Sequence, residues 1–207
     1  RDIRRAFVAA HFDDAWFVAA DYSQIELRVL AHITEDEGLI QAFLADQDIH
    51  RATAATVYGV EPGDVTRQMR DTAKMVNFGI AYGMGEFGLA SRTGMTREEA
   101  EAFITTYYRR FPGIATWQQT TLDSTREKGY AETLFGRRRY LPAIRSTNFQ
   151  VRAAAEREAI NMPIQGTAAD IIKVAMIRVD DELRERGLRS RMILQVHDEL
   201  IFECPAD

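Results

Sequence analysis

Cysteine is almost absent from the 207-residue chain: Cys204 stands alone, which excludes an internal disulfide and fits a reducing compartment. Long apolar runs are missing as well. None approaches the roughly 20 residues that a membrane span needs, and the N-terminus lacks a signal-peptide pattern. An excess of positive charge is also missing. The formal net charge is −5, so bulk charge gives no support for nucleic-acid binding, and only local clusters could: Arg137-Arg138-Arg139 with Arg145, and Arg109-Arg110. There is no repeat, low-complexity segment or flexible linker. What remains is ordinary globular composition, 46% hydrophobic and 28% charged, enough for a sizeable core in one large domain or two small ones. Both ends, "RDIRRAF" and "FECPAD", read as cut, as expected for a piece of a larger protein.

Pattern reading gives an α+β chain. "AWFVAAD" (15–21) predicts a short buried strand ending in Asp21. Ser23 and Glu26 have capping-box spacing ahead of a helix carrying Ile25, Leu27 and Leu30. Helices are expected at 36–45 and at 48–58, where Gly59 stops the second. Thr66 caps one running to about 82. Thr96 and Glu99 open another to about 110, and one more follows "FPG" to Lys128. "YAETLFGRRRYLP" (130–142) reads as a hairpin with Gly136 near its turn. A helix over 148–160 is expected to break at Pro163, with a second over 166–186 ending at Gly187. "MILQV" and "LIFEC" then read as two short buried strands with His197-Asp198-Glu199 at their junction.

Gly83, Gly85 and Gly88 match the dinucleotide pattern G-x-G-x-x-G, but that site needs a strand before the glycines. A helix is expected there instead, so the stretch reads as a loop closing a helix. Three constellations carry chemistry. In "DYSQIELR" (21–28), Asp21 ends a strand, although a helix cap explains the segment equally well. In "RDTAKMVNFGIAYG" (70–83), Arg70, Lys74, Phe78 and Tyr82 recur every four residues. Each step of four overshoots a helical turn by about 40°, so they form one slowly drifting stripe. Two cations followed by two aromatics suit a triphosphate at one end and a sugar or base at the other. A solvated cationic face with packed rings is the plainer alternative. In "ILQVHDELIF", a polar turn is the plain reading, but flanking strands would fix its tip rigidly.

If the strands ending at Asp21 and Asp198 are neighbours, their carboxylates need relief. At 4 Å they repel by about 4 kcal/mol at an effective dielectric of 20. A shared proton, a cationic side chain or a divalent metal would supply it. All-oxygen ligands favour Mg²⁺ or Mn²⁺, and since His197 alone among the 4 histidines adjoins these acids, a zinc set of several His or Cys is excluded here. A metal-bound carboxylate pair with an Arg/Lys stripe is equipment for phosphoryl transfer.

At this point "DYSQIELRVLAH", "RDTAKMVNFGIAYG" and "QVHDEL" resemble motifs A, B and C of family A DNA polymerases, the bacterial DNA polymerase I type, in the right order. "DIHRATAATVYG", "TLFGRRRYLP" and "RAAAEREAINMPIQGTAADIIK" resemble the family between them, so the likeness covers nearly the whole chain. It implies a palm with a small antiparallel sheet plus a mostly helical fingers subdomain: palm over 1–35, mainly fingers over 36–140, palm again over 141–207. The thumb is expected upstream of Arg1, with any exonuclease domain further upstream and a last palm element after Asp207. It implies template-directed DNA synthesis from dNTPs on a primer 3′-hydroxyl. Two Mg²⁺ ions, with Mn²⁺ a possible substitute, would be held by Asp21, Asp198 and the backbone carbonyl of Tyr22, with Glu199 an accessory. Arg70, Lys74 and His50 would grip the phosphates, and Lys74 would protonate the leaving group. Phe78 would pack on the sugar and base, Tyr82 would sit near the templating position, and Glu26 would be a steric gate against ribonucleotides with Gln24 beside it. Arg157, Asn161, Gln165 and His197 would contact primer–template DNA. A cytoplasmic, nucleoid-associated bacterial monomer is implied.

Two alternatives differ in substrate or in activity. A phage-type single-subunit RNA polymerase shares the two aspartates and the Arg/Lys helix, but Glu26 and Phe78 argue against it, since such enzymes must admit the 2′-hydroxyl and usually carry Gly and Tyr there. A catalytically silent fragment, at most binding nucleotide or DNA, is the other.

Overall fold

The computed structural model describes residues 7–9, 11 and 13–206. The chain divides into two compact units, Arg1–Ile25 with Ala168–Asp207, and Glu26–Thr167. No helix among the described residues is long and apolar enough to cross a membrane.

The first unit is built on three antiparallel strands. β1 (Ala15–Asp21), β4 (Arg191–Val196) and β5 (Glu199–Pro205) form a sheet in the order β1-β5-β4. β1 pairs with β5 in the register Asp21↔Glu199 to Ala15↔Pro205. β4 and β5 pair through Val196↔Glu199 and are joined by the two-residue turn His197-Asp198. The expected hairpin is present, but the expected burial is not. Trp16, Phe17 and Val18 are exposed in β1, as are Ile193 and Leu194 in β4. Both are edge strands with one hydrogen-bonded neighbour each, and only central β5 places side chains, Leu200 and Glu203, fully inside. An apolar run therefore marked the strands without marking their burial. The buried Glu203 carboxylate is satisfied by His11, accepting from its backbone N–H at 2.8 Å and meeting Nδ1 at 2.6 Å.

The second unit is helical: α1 (Ile25–Thr34), α2 (Glu37–Leu44), α3 (Ile49–Tyr58), α4 (Arg67–Ala81), α5 (Glu86–Thr93), α6 (Arg97–Arg110) and α7 (Pro112–Lys128). A small hairpin follows, β2 (Tyr130–Glu132) with β3 (Arg138–Tyr140). Most boundaries follow the caps. The Asp36, Asp48 and Thr66 side chains accept backbone N–H groups at the starts of α2, α3 and α4, and Thr96 with Glu99 closes a full capping box on α6. At α1 the expected box is displaced: the helix begins at Ile25, so Glu26 is its second residue rather than its third. The glycine segment leads from α4 to α5 with no preceding strand, so no dinucleotide turn exists. A short helix does follow, one that had not been expected.

α8 (Phe149–Glu185) is a single 37-residue helix that runs through Pro163. The expected break is absent. Proline removes one donor, and a long helix whose faces bury Ala155, Ala159, Ile160, Ile164 and Ile172 tolerates that loss. It closes at Gly187, whose φ of +61° is cheap only for glycine, while the Leu188 N–H donates to the Leu183 carbonyl at 2.9 Å.

α4 is held from behind. Its buried residues Ala73, Val76 and Ile80 lie opposite the Arg70–Tyr82 stripe. Ala73 joins Ala54, Ala55 and Val65 in one cluster, and these small side chains let α3 approach closely. At the far end, Gln118 donates from Nε2 to the Ile80 carbonyl at 2.8 Å and accepts from the Tyr108 hydroxyl at 2.8 Å. A Cβ at Gly79 would run into the Met84 methyl, the flexible end of a side chain that would have to swing aside.

Candidate functional site

In the first unit, the β1–β5 register sets Asp21 directly opposite Glu199, and Asp198 precedes Glu199 in the turn. Cross-strand partners stand about 5 Å apart at Cα, with side chains on one face. The Tyr22 N–H donates to the Asp198 carbonyl at 3.4 Å, tying the two motif ends together. Gln24 (φ +54°) and His197 (φ +57°) both adopt the left-handed region, which costs a non-glycine residue roughly 1 kcal/mol. Two of the four non-glycine positive-φ residues among the described residues thus lie within three positions of Asp21 or Asp198. His197 is exposed, and its carbonyl accepts from Gln195 Nε2 at 2.9 Å.

None of the three carboxylates has an ion-pair partner among the described residues, and no three-residue His/Cys/Asp/Glu cluster there could enclose a metal. The donor set still fits Mg²⁺. That ion keeps several waters and is commonly bound through one or two carboxylates plus substrate phosphate rather than by an all-protein cage.

In the second unit, the stripe on α4 is tied into its surroundings. Arg70 Nε donates to Asp48 Oδ2 at 2.6 Å, while Asp48 Oδ1 accepts the backbone N–H groups of His50 and Arg51. Burial works against the Asp48 carboxylate, but the Arg70 bond, the Arg51 N–H and the Arg70 charge outweigh it and hold its pKa below the usual value. Lys74, one turn on, is exposed and has no hydrogen bond or ion pair among the described residues. His50 is 2% exposed. Burial, with help from the Arg70 and Lys74 charges and against the pull of Asp48, lowers its pKa to about 4. It is therefore neutral at physiological pH, and any grip on phosphate comes from an N–H donor rather than from a cation. Its ring lies 5.7 Å from Phe78, and Phe78 stacks on Tyr82 at 6.4 Å. The Tyr82 hydroxyl donates to Glu26 Oε2.

Arg157, Asn161 and Gln165 lie four residues apart on α8 and share one face. Arg157 and Gln165 are exposed, whereas Asn161 Oδ1 is buried without a partner. The cavities of the second unit lie elsewhere: about 760 Å³ between α3, α4 and α6, lined by Tyr58, Met69 and Phe103, and about 450 Å³ beside α7, lined by Trp117 and Lys128. Of the stripe, Lys74 is exposed and Arg70, Phe78 and Tyr82 are half-buried.

Sequence reading missed Asp48 and Asn77, which organise the stripe from behind. The signal for Asp48 was its place just before "IHRATAATVYG", where a helix cap belongs. Asn77 left no signal beyond being a polar residue on the buried side of an amphipathic helix.

The family model for DNA polymerase family A matches residues 1–207, and the chain belongs to that family. It is 54% identical over 206 residues to DNA polymerase I of Streptococcus pneumoniae, covering 99% of the chain and 23% of the relative. It is 56% identical over 208 residues to DNA polymerase I of Chloroflexus aurantiacus, covering 100% and 22%. Among solved structures, the POL domain of Pol1 from M. smegmatis in complex with DNA primer-template and dNTP superposes with a TM-score of 0.94 at 47% identity. That match covers 99% of the chain and 36% of its neighbour. The chain thus spans less than a quarter of the curated relatives it matches.

Proposed function

We propose that the chain is the nucleotide-adding part of a DNA polymerase I, extending a primer 3′-hydroxyl with dNTPs under template direction. The observation that carries this reading is the register Asp21↔Glu199 with Asp198 beside it, in a chain that also presents Arg70, Lys74, Phe78 and Tyr82 along one helix. Asp21, Asp198 and the Tyr22 carbonyl would hold two Mg²⁺ ions, or Mn²⁺ in their place, with Glu199 as an accessory. The bound ions would lower the pKa of the primer hydroxyl and neutralise charge on the leaving pyrophosphate.

The chain's own groups do the rest. Arg70, kept in place by Asp48, presents its remaining guanidinium N–H groups to phosphate oxygens. Lys74, unpaired and exposed, can approach the leaving group and give up a proton. His50 adds a neutral N–H donor. Phe78 offers a ring to the sugar and base. Glu26, fixed by the Tyr82 hydroxyl, narrows the space for a 2′-hydroxyl, with Gln24 beside it. Arg157, Asn161, Gln165 and His197 serve primer–template contacts. Residues 1–35 and 141–207 are assigned to the palm and 36–140 mainly to the fingers. The missing thumb and upstream domains would supply the remaining grip on the duplex. The reading places the protein in the bacterial cytoplasm, at the nucleoid, as a monomer.

Primer extension with Mg²⁺, comparing the parent polymerase with its Asp198→Asn variant, tests the assignment. A loss on the order of a thousandfold is expected from removing one charged group at the reacting centre. Extension that survives the substitution refutes it. Glu26→Ala in the same enzyme should raise ribonucleotide incorporation, and an unchanged rNTP/dNTP ratio removes the gate. The isolated chain spans only 22–24% of its relatives, so silence of the isolated chain alone, with an active parent, supports the second reading of a nucleotide- or DNA-binding piece.

A further inference from the structure

Asn77 is 1% exposed on the buried side of α4. Its amide Nδ2 lies 2.9 Å from His50 Nδ1, and its Oδ1 is buried with no partner. Burying an unpaired carbonyl oxygen costs about 1–3 kcal/mol, so the amide is held where it is against a penalty. Its one bond in the structure is to the His50 ring.

That bond bears on the chemistry of His50. An amide N–H donated to Nδ1 occupies the lone pair there and leaves the ring proton on Nε2. Nε2 has no hydrogen-bond partner among the described residues. The charged groups that act on the ring are Asp48, Arg70 and Lys74. With two cations present, the ring does not need a charge to meet an anion. It needs its donor pointing outward.

We infer that Asn77 is a positioning residue that locks His50 into the Nε2–H tautomer, turning a buried neutral imidazole into a fixed donor for an anionic oxygen of the incoming nucleotide. The opposite tautomer would present a lone pair to that oxygen and repel it. The nucleotide part rests on the polymerase reading above; the tautomer part does not.

The two parts separate in one experiment on the full 207-residue chain labelled with ¹⁵N-histidine, with His50→Gln identifying the signal. At pH 7 the expected spectrum has an unprotonated Nδ1 and a protonated Nε2. Asn77→Leu, close in volume and without the donor, should give a mixture of tautomers. Asn77→Asp should move the proton to Nδ1 and raise the pH at which the ring titrates; a carboxylate is a poor guest at a buried site, so Asn77→Leu carries the test if Asn77→Asp fails to fold. Titration with magnesium dATP, followed on the same signals, should show about fivefold weaker binding by Asn77→Leu, the worth of one ordinary hydrogen bond. A protonated Nδ1 in the unsubstituted chain, or an unchanged tautomer in Asn77→Leu, overturns the inference. A changed tautomer in Asn77→Leu with no dATP binding by either protein upholds the positioning role and counts against the nucleotide reading instead.

Discussion

The two units of the chain treat charge in opposite ways. On α4, the charged and polar groups are mostly provided for within the protein. Arg70 has Asp48, Asp48 also caps α3, His50 has Asn77, and Tyr82 has Glu26. At the hairpin tip, Asp21 stands opposite Glu199 with Asp198 next in the turn, and no cation is bonded to them among the described residues. A group that must bind and release a substrate repeatedly gains from being preorganised by its neighbours. A group that holds a metal gains from having no internal competitor for it. On the proposed function the contrast would separate a grip from a receptor, and stability and activity would respond differently in the two places.

The largest stability effect belongs to the grip. His50 has its pKa lowered from 6.5 to about 4 in the folded chain. As pH falls below 6.5 the unfolded chain takes up the proton first, so stability is complete above that pH and declines toward pH 4. The decline amounts to roughly 3 kcal/mol from this residue. Urea unfolding across that window should show the slope, and His50→Gln should remove most of it; a variant with the same slope as the parent chain would break the link between burial and neutrality. Asp48→Ala comes next. It removes the acceptor for two N–H groups of α3 and leaves Arg70 without its partner, for a loss of about 2 kcal/mol. Because Arg70 is then free to move, nucleotide affinity should fall along with stability. A drop in stability with affinity intact would show that Arg70 needs no holding.

The same contrast governs what could be read from the sequence. Capping residues announced themselves, since Thr66, Thr96 and Glu99 act within one helical turn of their own positions. The β4–β5 hairpin was legible for the same reason, its turn being only His197-Asp198. Pro163 misled because a local breaker was outweighed by apolar faces extending along all of α8. The burial of β1 misled because strand burial depends on neighbours that a strand's own residues do not specify. The α4 stripe followed from spacing, and the family motifs supplied the roles proposed for it. The supporting residues, Asp48 and Asn77, did not emerge. Their partners lie 22 and 27 positions away, and no periodicity connects them.

The smallest effect is also the one with the most informative sign. Neutralising one acid at the hairpin tip should leave the fold slightly more stable rather than less, since it relieves like-charge repulsion and breaks no ion pair. Asp21→Asn, measured in metal-free buffer, should raise the melting temperature by about 1 °C, as expected for an exposed charge pair in a chain of this size. Adding Mg²⁺ should reverse the order, because the ion stabilises only a tip that keeps its ligands. The same substitution should abolish primer extension in the parent polymerase, so gain of stability and loss of function would arise from one atom change. If Asp21→Asn instead melts lower without metal, the carboxylate has a structural partner, and the division between grip and receptor fails at its acidic end.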